Sequence, residues 1–141
     1  MQTTRYGQYL EAEVMGADPV KLVYLLYRGA LDSVGAARRH LAAGDIAQRS
    51  RQIQKVWDIL QELGQSLDRD RAGALGTQLT ALYIYMQRRL IEANIQQSDA
   101  PLAEVENLLG PLAEAWRSHQ ALPKSAPEPA QEAYQPVSCS Y

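Results

Sequence analysis

A chain of 141 residues can bury one substantial core, and its 46% apolar and 21% charged residues are ordinary for a globular domain. A net charge of -2, with the doublets Arg38-Arg39 and Arg88-Arg89 scattered among acids, excludes a nucleic-acid binder, which needs a concentrated basic face. The lone cysteine, Cys139, excludes a disulfide framework or a cysteine metal cage, and no cofactor or metal site is expected.

Residues 1–17 are polar and lack the apolar run of a signal peptide. The longest apolar cluster, Val20 to Tyr27, is broken by Lys21 and is too short to span a bilayer, so no membrane insertion is expected and a cytoplasmic location follows. Tyr6, Tyr9, Leu10 and Val14 nevertheless give this N-terminal segment an apolar strip that could cover a groove.

Four segments carry helical periodicity, and none alternates with period two. Helix one runs from about Pro19 to Ala43, with Asp18 as N-cap, proline at the first helical position and Gly44 just past the end. Its apolar stripe is Val23, Leu26, Ala30, Val34, Ala37 and Leu41. Asp45 and Gln48 resemble a capping box that starts helix two at once, and so short a turn makes helices one and two antiparallel. The stripe of helix two is Ile53, Val56, Trp57, Leu60, Leu63 and Leu67.

Asp68 to Ala72 reads as a charged turn, and Gly73 and Gly76 loosen the start of helix three, which runs to about Gln97. Its core stripe is Leu75, Leu79, Leu82, Met86, Leu90 and Ala93. A second stripe, Ile84, Ile91 and Ile95, lies about a third of a turn away, although one bundle core needs only one. Helix four starts after Asp99 and buries Leu102, Val105, Leu109, Leu112 and Trp116. Proline in a helix interior removes a backbone bond and clashes with the preceding turn, so Gly110-Pro111 predicts a kink or break near Leu109. The fold class is therefore all-α: an antiparallel up-down four-helix bundle over residues 18–119, with a flexible segment at 1–17 and a disordered Pro-rich tail at 120–141.

The sequence offers little for catalysis. His40 and His119 are isolated on polar faces near helix C-termini and read as solvated helix-end side chains. Glu104 and Glu106 read as a solvated surface, and no nucleophile–base pair or phosphate loop is visible. The chain is not expected to be an enzyme.

The run Ala17-Asp18-Pro19-Val20-Lys21-Leu22-Val23, followed by Leu26-Tyr27-Arg28-Gly29-Ala30-Leu31, resembles the opening of the flagellin export chaperone family FliS. Asp45-Ile46 after Gly44 is similar to that family's helix-two start, and Ala115-Trp116 to its closing Ala-Trp. The most specific block is Leu82-Tyr83-Ile84-Tyr85-Met86-Gln87-Arg88-Arg89-Leu90-Ile91-Glu92-Ala93-Asn94-Ile95. Arg28 and Ile84 stand where the family has acids, Ala72-Gly73-Ala74 replaces Gly-Gly-Glu, and Gly110-Pro111 interrupts helix four.

The resemblance implies a cytoplasmic four-helix bundle that binds the C-terminal segment of flagellin, blocks its premature polymerisation and meets a flagellar export gate protein. On that footing Ile46, Ile53 and Ile59 of helix two and Ile84, Ile91 and Ile95 of helix three are expected to line the client groove. Tyr83 and Tyr85 are expected at its edge, with Arg88 and Arg89 facing client carboxylates. The competing reading is a self-associating bundle, a homodimer with a different client or none, built on the same apolar surplus.

Overall fold

The computed structural model describes residues 18–67 and 69–121, with the side chains of 69–71 and 119–121 excepted. The strip Tyr6, Tyr9, Leu10 and Val14, the Pro-rich tail and the side chain of His119 lie outside the described residues. Four helices account for nearly all the rest: α1 (Pro19–Ala43), α2 (Ile46–Ser66), α3 (Arg69–Gln96) and α4 (Asp99–Ala121).

Each boundary has a local cause. The Asp18 carboxylate accepts from the Val20 N–H at 3.1 Å and starts α1. Gly44, at φ 74°, ends it in the left-handed region, where the Gly44 N–H reaches the Leu41 carbonyl and the Asp45 N–H the His40 carbonyl. Asp45 then caps α2 by accepting from the Gln48 N–H at 3.1 Å. The α3 end uses the same device: Gln97 sits at φ 54° and the Ser98 N–H donates to the Ala93 carbonyl at 3.1 Å.

Linkers of two residues make successive helices antiparallel. α1 packs along α2 and α4, and α3 along the same two, so α1 and α3 face each other across the core. Leu26, Tyr27, Ala30 and Val34 of α1 share one buried cluster with Val56, Leu60 and Leu63 of α2, Met86 and Leu90 of α3, and Leu102, Val105 and Leu109 of α4. The Tyr27 and Tyr83 hydroxyls, 2.6 Å apart, join the two diagonal helices, so these buried rings bring their polar ends together.

Two expectations are corrected. α4 runs unbroken through Pro111, with Leu109 and Ala113 buried on either side. Pro111 lies on the exposed face, so the carbonyl that lost its N–H partner belongs to exposed Asn107 and is left to water. Residues Arg69 to Ala72 are helical rather than a turn, and the irregularity falls on one residue, Gly73, at φ 58° and ψ -130°. Only glycine takes that conformation without strain, which accounts for the glycine between Ala72 and Ala74.

Gln97 carries a left-handed conformation without glycine's freedom. That conformation costs an L residue about 1–2 kcal/mol, against about 0.5–1 kcal/mol of extra chain entropy for glycine. Gln97→Gly is therefore expected to stabilise the bundle by roughly 0.5–1 kcal/mol, read as a higher thermal unfolding midpoint.

Candidate functional site

At about 100° per residue, Tyr83, Met86, Leu90 and Ala93 point α3 into the core, and Ile84, Ile91 and Ile95 lie roughly 100° round from Tyr83. These three isoleucines are 46%, 48% and 74% exposed, and Ile46, where α2 begins and α3 ends, is 56% exposed. Single exposed apolar side chains are normal, whereas four exposed isoleucines form a row larger than folding alone requires.

Next to this strip an open groove of about 380 Å³ runs between α2 and α3, lined by Ser50, Ile53, Gln54, Trp57, Ile91, Asn94 and Ile95. Its polar end is tied together by Arg49, which is only 5% exposed. The Arg49 Nε donates to Asn94 Oδ1 at 3.0 Å, and its Nη2 lies 3.4 Å from the Asn94 carbonyl oxygen. The Ser50 hydroxyl donates to the same Oδ1 at 3.1 Å. Arg49 thus sits at the C-terminal turn of α3, where unpaired carbonyls and the helix dipole favour a cation. Farther along, the Gln87 amide donates to the Trp57 carbonyl at 3.2 Å and to Gln61 at 3.1 Å.

The structure brings some of the expected residues together and separates others. Ile91 and Ile95 wall the groove, Ile53 is its buried floor, and Ile46 and Ile84 extend its apolar border. Ile59 is buried toward α1, where its Cδ1 stands 3.4 Å from the place a Cβ on Gly29 would occupy. Tyr83 is a core residue at 2% exposure rather than a groove edge. Tyr85 lies on the far side of α3, donating its hydroxyl to Glu104 of α4 at 2.7 Å. Arg88 is exposed beside the isoleucine strip without a partner among the described residues, whereas Arg89 is engaged by Glu92 and by Glu104. Among the described residues no group of three or more His, Cys, Asp or Glu is placed to hold a metal, and no helix is long and apolar enough to cross a membrane.

The family model described as "Flagellar protein FliS" matches residues 1–123. The chain belongs to the FliS family. It is 36% identical over 118 residues to the flagellar secretion chaperone FliS of Salmonella typhimurium, covering 83% of this chain and 86% of that one. It is 33% identical over 112 residues to FliS of Bacillus subtilis, covering 79% and 83%. FliSB of Pseudomonas aeruginosa is 36% identical over 107 residues, covering 76% and 85%.

In this FliS chain, α4 is held by ion pairs that the sequence reading missed. Arg38 of α1 grips Asp99 with two parallel bonds of 2.8 Å and reaches Glu106 at 2.6 Å. Glu104 turns the other way, to Arg89 and Tyr85 of α3. Glu104 and Glu106 are therefore ties to opposite neighbours, not a solvated acidic pair. The visible signal was the spacing of Asp99 and Glu106, seven residues apart and so on one helix face.

The hydrogen bonds from Arg38 hold the Asp99 carboxyl below the usual carboxylate range. Because the folded value is the lower one, the contribution is present above about pH 4 and is lost as pH falls through the depressed value. Asp99→Asn is expected to lower stability modestly at neutral pH, the pair being partly solvated. It should also make the acid loss of stability shallower, as read by thermal unfolding from neutral pH down to about pH 2.

Proposed function

We propose that this FliS protein is a cytoplasmic flagellar secretion chaperone whose α2–α3 groove takes the C-terminal segment of flagellin before export. The observation that carries the reading is the row of exposed isoleucines, Ile84, Ile91 and Ile95 with Ile46, beside an open groove in a chain whose relatives are named flagellar secretion chaperones. An amphipathic client segment has no apolar partner until it is assembled into a filament. The bundle supplies a substitute surface, which keeps subunits from polymerising early and holds them for delivery to the type III export apparatus.

The roles follow the geometry. Ile53 and Trp57 form the floor, and Ile46, Ile84, Ile91 and Ile95 supply the surface that the client covers. Arg88, exposed beside that surface, faces a client carboxylate, whereas Arg89 is occupied within the fold. Ile59, Tyr83 and Tyr85 have no part in the groove.

Calorimetric titration with about the last forty residues of flagellin from the same genome is expected to show one-to-one binding with a large negative heat-capacity change. Burying an isoleucine contributes about 1.5–3 kcal/mol, so Ile91→Glu with Ile95→Glu should weaken binding at least tenfold. Thermal unfolding should change little, because both side chains face solvent in the free chain. A wild-type chain that gives no heat at micromolar concentration and sediments as a dimer would overturn the reading in favour of self-association.

A further inference from the structure

Asn94 concentrates the polar chemistry of the groove. Its Oδ1 receives two donors, the Arg49 Nε at 3.0 Å and the Ser50 hydroxyl at 3.1 Å. A side-chain amide has one acceptor end and one donor end, so two donors on one atom fix which end is the oxygen. Turning the amide over would set its NH2 against a guanidinium N–H. The Nδ2 meets no acceptor among the described residues, yet no buried side-chain nitrogen or oxygen among them lacks a partner. The NH2 is therefore not fully buried, and it belongs to a residue that lines the groove together with Ile91 and Ile95.

We infer that the Asn94 NH2 is a fixed hydrogen-bond donor of the groove that takes a backbone carbonyl of the client, with Arg49 as the positioning residue. This rests on the proposed function, since it needs a peptide in the groove. A peptide pressed against isoleucine brings its backbone polar groups out of water, and a buried carbonyl left without a donor is costly. A donor already held in place loses little freedom on binding, so it favours the register in which a carbonyl falls opposite residue 94. Arg49 holds the amide through Oδ1 and is itself anchored at the Asn94 carbonyl. The lock is thus built into the seam between α2 and α3.

Asn94→Asp separates this role from a purely structural one. A carboxylate still accepts from Arg49 and Ser50 and turns the Arg49 contact into an ion pair, so the bundle keeps its seam. The atom in the place of the NH2 becomes an acceptor, which repels a carbonyl. Titration of the flagellin C-terminal segment into the full chain is expected to show about a 10- to 100-fold loss of affinity for Asn94→Asp, with the unfolding temperature within a few degrees of the unmodified chain. Unchanged affinity overturns the inference and leaves the proposed function standing. Absence of binding by the unmodified chain overturns both. Should Asp at this position unfold the bundle, the side-chain amide protons of Asn94 carry the test in the unmodified chain. One of the two is expected to move downfield when the segment is added, and two unmoved protons would contradict the inference.

Discussion

A helix in a four-helix bundle can turn only one stripe toward the common core, and α3 carries two. The first, Leu79, Tyr83, Met86, Leu90 and Ala93, is buried. With α2 and α4 flanking it and α1 across the core, no helix among the described residues covers Ile84, Ile91 and Ile95. Adding apolar side chains to a face that the fold cannot bury does nothing for folding. In the proposed function that surface is covered by the client, and the polar contacts around it hold it in place.

The polar contacts are distributed accordingly. Arg49, Ser50 and Asn94 close the seam between α2 and α3 at one end of the groove, and the Gln87 contacts with Trp57 and Gln61 close it farther along. On the opposite flank Arg89 and Tyr85 tie α3 to α4 through Glu104, and Arg38 ties α4 to α1 through Asp99 and Glu106. Asp99, Glu104 and Glu106 of α4 thus engage the cations of its two neighbours, while Arg88, beside the isoleucines, has no partner among the described residues. Exposed pairs of this kind add little stability each. Their consequence is directional, because they fix which face of α3 looks toward α4 and which looks toward open groove.

Much of this was legible in the sequence because it is local. Asp18, Pro19, Gly44 and Asp45 name their own boundaries through capping chemistry, and the surplus stripe on α3 follows from the spacing of three isoleucines. What failed depends on which neighbour a face meets. Ile59 and Ile84 look alike as isoleucines offset from a core stripe, yet one turns toward α1 and the other toward solvent. Tyr83 and Tyr85 are two residues apart, so they point to different sides of α3, one into the core and one to Glu104. Pro111 was expected to kink or break α4, but the helix continues through it, and the proline falls on the exposed face, where water can take the place of a lost backbone bond. The donor end of Asn94 could not be read from sequence, since it is set by two residues more than forty positions away.

The six isoleucines of the chain are all in α2 and α3, so their methyl groups form a compact probe of the groove. Isotopic labelling of the isoleucine δ1 methyls and a spectrum with and without the flagellin segment test the central claim most directly. Binding in the groove moves the resonances of Ile46, Ile53, Ile84, Ile91 and Ile95, while that of Ile59, packed toward α1, stays where it is. A bound segment that shifts Ile59 and leaves Ile91 and Ile95 untouched would place the client on another face and contradict the account.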